Sequence, residues 1–196
     1  DRLGSLFLII LFSPVLVVLL VAIRLTSRGA ILFRQQRSGL NGQPFVMLKF
    51  RSMVNDAEQR KHELAALNEM TGPVFKVTND PRITPIGLWI RRLRLDEIPQ
   101  FVNVLLGDMS LVGPRPERPE LHDVIEDEHS DFALRLAVNP GITGLAQIEA
   151  GYADSVDGSM RKLAHDVSYI ANLSFALDLS IVLATVRVVV TGRGSR

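Results

Sequence analysis

Two neighbouring carboxylates, Asp96 and Glu97, follow three arginines, Arg91, Arg92 and Arg94, and precede Pro99. Paired acids beside cations are the residue types of metal, acid–base and anion chemistry. Proline is tolerated in a first helical turn, so Pro99 to Leu106 is expected to be helical. Asp96 then falls near the N-cap, where free N–H groups and the helix dipole favour negative charge. Ordinary helix capping explains the same residues, and the local pattern leaves both readings open. Arg115 stands between Pro114 and Pro116. Two prolines stiffen that backbone and pre-position the guanidinium for bidentate contact with phosphate or carboxylate. A rigid surface loop with a solvated arginine is the plainer alternative. Lys49 and Arg51 lie on one side of a predicted strand end, as anion ligands or as charges that keep an edge strand soluble.

Other chemistries are excluded. The chain has no cysteine, so a thiol nucleophile, a disulfide framework and cysteine-ligated metals are ruled out. His62, His122, His129 and His165 are scattered, with no His-x-x-x-His pair to build a zinc site. Neither a P-loop nor a Gly-x-Gly-x-x-Gly fingerprint is present. The 196 residues, 47% apolar and 22% charged, suit one folded domain. The mean hydropathy of +0.20 points to a single membrane segment.

These residues need elements to hold them. Leu3 to Ile23 is uncharged and almost wholly apolar, about 21 residues, the length of a spanning helix. It is too long for a signal peptide and lacks a cleavage site. Ser13-Pro14 falls at its middle and is expected to kink or break it. Arg2 on one side and Arg24 and Arg28 on the other disfavour translocating either end, so a re-entrant helix is preferred to a crossing one. Asp1 in place of Met leaves room for residues upstream. From Arg2 to Asn55 there is no acid against seven bases, whereas Glu117 to Asp131 holds seven acids against Arg118 alone. The basic third suits an anionic surface.

Beyond the apolar segment, Ile31–Arg37 and Pro44–Phe50 flank a Gly/Asn-rich reversal and read as a hairpin. Helices are expected over Asn55–Asn68, Ile86–Leu95, Glu120–Val138 and Ser159–Ile170, with loops over Thr71–Pro85 and Gly107–Pro119. Phe175–Val190 is apolar but interrupted by Asp178 and Arg187, which suits an interfacial helix. The fold class is therefore α+β, mostly helical with a small β-hairpin, one re-entrant membrane helix and interfacial amphipathic helices. Residues 1–28 are assigned to the membrane and 29–196 to one continuous cytoplasmic domain.

The chain resembles the bacterial sugar transferases, also called monotopic polyprenyl-phosphate phosphoglycosyl transferases. The blocks that carry the resemblance run in one order along almost the whole chain. They include Ser13-Pro14, Phe33-Arg34-Gln35-Gln36-Arg37-Ser38-Gly39, Lys49-Phe50-Arg51-Ser52-Met53 and Asp80-Pro81-Arg82-Ile83-Thr84. They continue with Leu95-Asp96-Glu97-Ile98-Pro99-Gln100, Val112-Gly113-Pro114-Arg115-Pro116, Pro140-Gly141-Ile142-Thr143-Gly144 and Asp166-Val167-Ser168-Tyr169-Ile170. The resemblance implies transfer of a sugar phosphate from a nucleotide diphosphate sugar, a UDP-sugar by preference, to polyprenyl (undecaprenyl) phosphate. Nucleoside monophosphate is released, on the cytoplasmic face of the bacterial inner membrane, as the first membrane step of glycan or exopolysaccharide synthesis. It assigns Asp96 as the nucleophile that becomes an aspartyl phosphosugar and Glu97 as the residue associated with Mg2+. Arg91 and Arg115 match cations of the family and are read as phosphate clamps, with Lys49 and Arg51 behind them. A homodimer is a further candidate assembly.

Two departures stand out. Leu93-Arg94 replaces the Thr-Ser of many members, and Ile148-Glu149-Ala150-Gly151-Tyr152 replaces their Asn-Gly-Arg block. Inference about the sugar from that second region is correspondingly weak. The alternatives are an inactive membrane-tethered binding protein of the same fold, which the intact Asp96-Glu97 and Arg115 argue against, and a peripheral membrane or nucleic-acid binder. The last needs exposed aromatics among its cations, and only Phe33, Phe45 and Phe50 are near, so nucleic acid is not expected as a partner.

Overall fold

The computed structural model describes residues 1–69, 77–150 and 156–191. Helix α1, Arg2–Thr26, has 25 residues and is about 37 Å long, enough to cross a hydrocarbon core. Only 11% of its most apolar window is buried in the protein, unlike the core helix of a soluble domain. The helix runs on through Pro14, so the expected break does not occur there. Proline removes the N–H that would pair with the carbonyl four residues earlier, that of Ile10. The hydroxyl of Ser13 donates to that same carbonyl at 2.7 Å. The Ser-Pro pair thus carries its own repair of the bond it loses.

The inner face of α1 is part of the domain core. Leu19 and Ile23 are buried with Phe50, Ile90 and Ile98. The fully buried Ser5 hydroxyl donates to the Phe101 carbonyl, and Phe12 stacks on Phe101 with ring centroids 6.3 Å apart. Strands β1 (Leu32–Ser38) and β2 (Pro44–Phe50) form the expected antiparallel hairpin, with Phe33 opposite Lys49 and Arg37 opposite Phe45. Directly opposed residues share a face, so Arg37 and Lys49 stand at two ends of one face. Buried Met47 lies between them on that face.

Helix α2 (Pro85–Arg92) is capped by Thr84, whose hydroxyl accepts from the Gly87 amide at 3.0 Å. Helix α3 (Gln100–Leu106) lies against β2 through Asn103, 1% exposed. Its side chain accepts from the Leu48 amide at 3.0 Å and donates to the Val46 carbonyl at 2.8 Å. One buried side chain thereby acts as a strand partner and fixes α3 in register with Lys49. A second, unexpected sheet pairs β3 (Ser110–Val112) with β4 (Gly141–Thr143) in parallel. A Cβ on Gly141 would come within 2.1 Å of the Gly113 nitrogen, so only glycine permits this approach.

Helix α4 (Pro119–Glu128) is shorter than expected, and Ser130–Ala137 continues as 3₁₀ turns. Asn55–Asn68 is likewise not one helix but two 3₁₀ turns, Gln59–Lys61 and Ala65–Leu67. The C-terminal part comprises α5 (Leu145–Glu149), α6 (Val156–Ala171) and α7 (Phe175–Thr191), the last two much as expected. The expected loop residues Gly72 and Pro73, with Gly151 and Tyr152 of the departure block, lie outside the described residues. Exposed apolar side chains concentrate on α1 (Phe7, Ile10, Leu11, Val18), α2 (Leu88, Trp89) and α7 (Phe175, Leu183, Val186).

Replacing Ser13 by Ala leaves the Ile10 carbonyl unpaired and is expected to lower stability by about 1–3 kcal/mol in detergent. Pro14→Ala restores an N–H at that position, so Ser13→Ala in the Pro14→Ala background is expected to cost much less. Thermal unfolding of the four proteins measures the difference.

Candidate active site

Between α2 and α3 the chain makes a single 3₁₀ turn, Leu95–Glu97, entered through Arg94 in the left-handed region (φ 55°, ψ 22°). Asp96 and Glu97 both belong to this turn. Asp96 is not the N-cap of α3, as anticipated, because that position is taken by Pro99. The turn projects its acids toward the hairpin instead of along a helix axis.

Glu97 is the meeting point. Its Oε1 accepts from Lys49 Nζ at 3.2 Å and from Arg115 at 2.6 Å. Burial alone would raise this carboxyl, but Arg115 and Lys49 override that and hold it far below the usual range. Burial lowers the Lys49 ammonium, and the Arg115 charge lowers it further. Asp96 behaves oppositely to its neighbour. Burial raises its carboxyl, the Glu97 charge adds to this, and Lys49 and Arg91 offset only part. Adjacent acids with pKa values driven apart are a recognised mark of functional sites.

Arg115 is delivered by the loop after β3. Gly113 donates to the Thr143 carbonyl and Gly141 to the Pro114 carbonyl, both at 2.8 Å, so the β3–β4 pairing continues into the Pro-Arg-Pro segment. Lys49, Asp96, Glu97 and Arg115 are thus brought together, and exposed Arg91 lies within electrostatic reach of Asp96. Arg51 is not with them. Its guanidinium donates to the Ser27 hydroxyl (2.6 Å) and carbonyl (3.0 Å), the Arg28 carbonyl (2.8 Å) and Asn55 (2.6 Å). A side chain so committed cannot also clamp phosphate. Arg51 fastens the end of α1 to the end of β2.

Sequence reasoning gave no role to Arg37, Glu117, Arg135 or Asp166, which stand behind Arg115. Arg135 lies 2.9 Å from Asp166 and 3.6 Å from Glu117, over the ring of Phe132. Glu117 also lies 3.9 Å from Arg37, whose pKa burial lowers to about 10. The signal for Arg37 was the hairpin register, which puts it on the face of Lys49. Asp166 opens one of the blocks that carry the resemblance, whereas Arg135 lies in none of them. An open cleft of about 310 Å³ beside this group is lined by Gln36, Ser38, His122, Asp123, Glu126 and Leu136, among others.

Among the described residues no three His, Asp or Glu side chains cluster as a metal cage. Asp96 and Glu97 supply the two carboxylates at the site. A donor set this small suits Mg2+, which takes one or two carboxylates together with substrate phosphates and water.

A family model described as bacterial sugar transferase matches residues 1–192. The chain belongs to the bacterial sugar transferase family. It is 42% identical over 196 residues to a UDP-N-acetylgalactosamine-undecaprenyl-phosphate N-acetylgalactosaminephosphotransferase of Aeromonas hydrophila, covering all of this chain and 44% of that protein. It is 39% identical over 189 residues to a UDP-glucose:undecaprenyl-phosphate glucose-1-phosphate transferase of Escherichia coli (strain K12), covering 95% of this chain and 38% of that protein. The exopolysaccharide production protein ExoY of Rhizobium meliloti (strain 1021) is 36% identical over 207 residues, with 85% of its length covered. The chain thus spans less than half of the first two relatives and most of ExoY. The Lys49–Glu97–Arg115 constellation lies wholly within the stretch that defines this sugar transferase family.

As pH falls, Asp96, whose pKa is raised, takes up its proton before Glu97, whose pKa is depressed. The carboxyl infrared band of Asp96 is expected to titrate above the ordinary value of about 3.9. Glu97→Gln, by removing the neighbouring charge, should move that titration downward. The stability supplied by Glu97 is present above its unfolded value of about 4.3 and is lost as pH falls toward its folded value.

Proposed function

We propose that this chain transfers a sugar phosphate from a nucleotide diphosphate sugar to a polyprenyl phosphate, through an aspartyl phosphosugar on Asp96. The observation that carries the reading is the half-buried Asp96 carboxylate beside a Glu97 already neutralised by Lys49 and Arg115. The printed names of relatives, which specify UDP-sugars and undecaprenyl phosphate, give the substrate classes.

In the first step an Asp96 oxygen attacks the sugar-linked phosphorus. The bond from that phosphorus to the bridging oxygen breaks, and nucleoside monophosphate leaves with the electron pair. In the second step an oxygen of polyprenyl phosphate attacks the same phosphorus. The acyl phosphate bond breaks, Asp96 is again a carboxylate, and a polyprenyl diphosphate sugar departs. A carboxylate approaching a diphosphate meets strong repulsion, and fixed cations in a dry site offset it. Arg115 and Lys49 are placed to do so, with Arg91 at the exposed side of Asp96. Asp96 has lost much of its hydration and needs little desolvation to react. Glu97 would hold Mg2+, which would supply Lewis-acid polarisation of the diphosphate.

The same reading puts α1 in the cytoplasmic leaflet of the bacterial inner membrane as a re-entrant helix, with the site on the cytoplasmic face. The acceptor phosphate sits at headgroup height, and the exposed apolar side chains of α1, α2 and α7 support burial of that side of the molecule in lipid. An inactive binding protein of the same fold has no observation in its favour.

With nucleotide sugar and Mg2+ but no lipid acceptor, about one equivalent of nucleoside monophosphate is expected, with a phosphosugar on the Asp96 peptide by mass spectrometry. Asp96→Asn should abolish both. Monophosphate release that strictly requires the lipid would instead establish direct transfer. Arg115→Ala should weaken transition-state stabilisation by about 2–4 kcal/mol, read as a fall in kcat/KM.

A further inference from the structure

All four carbonyls of the segment that carries Arg115 are occupied. The Pro114 carbonyl accepts from the Gly141 amide at 2.8 Å, and the Glu117 carbonyl from the Ser38 amide at 3.0 Å. The two between them accept from side chains. Arg135 donates to the Arg115 carbonyl at 2.8 Å, and Arg37 donates to the Pro116 carbonyl at 3.1 Å. Arg135 is buried, and the side chain of Arg37 is 14% exposed.

A buried guanidinium is a costly way to satisfy a carbonyl that water could reach. Each one must also be balanced by an acid, and here the acids are present: Asp166 at 2.9 Å and Glu117 at 3.6 Å from Arg135, and Glu117 at 3.9 Å from Arg37. Prolines at 114 and 116 remove two amides that a tight turn would otherwise use. The path of the segment is therefore set from outside, by the Gly141 and Ser38 amides at its two ends and by two cations on either side of Arg115. That path determines where the Arg115 guanidinium reaches Glu97, 2.6 Å away.

We propose that Arg135 and Arg37 are positioning residues, acting on the reaction through Arg115 by holding the carbonyls on either side of the Arg115–Pro116 bond. Asp166 and Glu117 complete the device by keeping the two guanidiniums aimed. The inference rests on the function proposed above for its catalytic consequence, but not for its structural one. Neither arginine needs to touch substrate. A displacement of about 1 Å at a charge-stabilising group is enough to cost about 100-fold in rate.

The test uses Arg135→Met, Arg135→Lys and Arg115→Ala, alone and combined, in the full chain in detergent. Nη2 of Arg135 faces both Asp166 and the Arg115 carbonyl while Nη1 faces Glu117. Arg135→Lys keeps the charge but has one nitrogen for these three partners, so it loosens the carbonyl contact and guards against a Met variant that does not fold. Hydrogen exchange at the Ser38 and Gly141 amides reads the loop directly, whether or not the enzyme turns over. Both Arg135 variants should accelerate exchange at these two amides while hairpin amides near Phe33 and Lys49 keep their protection. Unchanged exchange in both variants would overturn the proposal. In turnover, kcat should fall about 100-fold with Arg135→Met and less with Arg135→Lys, with KM for the nucleotide sugar changed less than kcat. The deciding measurement is the double mutant. If Arg135 acts through Arg115, its replacement costs almost nothing further once Arg115 is Ala. A full multiplicative loss in that background would mean that Arg135 acts on its own and would also overturn the proposal. A wild-type chain that releases no nucleoside monophosphate from any sugar nucleotide would sink the proposed function, and the exchange data would still decide whether Arg135 holds the loop.

Discussion

The Glu97 carboxylate, shared between Lys49 and Arg115, is the contact on which the arrangement depends. It ties three chain segments that are far apart in sequence: the end of β2, the turn before α3 and the loop after β3. Buried charge of one sign is costly unless paired, so each of these groups needs the other two in place. Removing Glu97 leaves two cations facing each other without their counter-charge. The triad is thus a structural joint and an electrostatic device at once. Its net positive charge is what an incoming diphosphate would meet.

The joint also explains why Asp96 and Glu97 can be neighbours with opposite behaviour. Both are half-buried, and burial raises both carboxyls. Only Glu97 has cations within hydrogen-bond reach, and these outweigh the burial. Asp96 receives the field of Lys49 and Arg91 at longer range and stays raised. A one-residue offset in a 3₁₀ turn separates a carboxylate committed to cations from one left to react.

Much of this was legible in the residues. The hairpin followed from a Gly/Asn-rich reversal between two short mixed runs, and α7 from an apolar stretch with two charges too close for a bilayer span. Asp96, Glu97, Lys49 and Arg115 could be singled out by type, and the structure brings them together. What failed did so for physical reasons. Arg51 looked equivalent to Lys49 by strand alternation, but β2 ends at Phe50, and past that point alternation no longer dictates direction. Asn55–Asn68 has helix-forming residues but gives only 3₁₀ turns, which bury no residue, and a short helix without a packed face is marginal. The β3–β4 pairing depends on the close approach of Gly113 and Gly141, a contact between residues 28 apart that no local pattern announces.

Helix α1 is held to the polar domain at both of its ends. Near its start, Asp1 accepts from the Ser110 hydroxyl at 3.0 Å and the Leu111 amide at 3.2 Å. At its far end, Ser27 is gripped by Arg51, and Ile23 is sealed into the core. Both ends of the helix are therefore fastened to one polar domain, β3 on one side and the end of β2 on the other. A helix that crossed the bilayer would have to release one of these ends and drag its polar partners with it. Fastening at both ends supports the re-entrant insertion proposed above, which would put the outer apolar stripe in lipid and the inner stripe on the protein. It also sets the height of the site, since the strands that hold the helix ends, β2 and β3, are the strands that deliver Lys49 and Arg115.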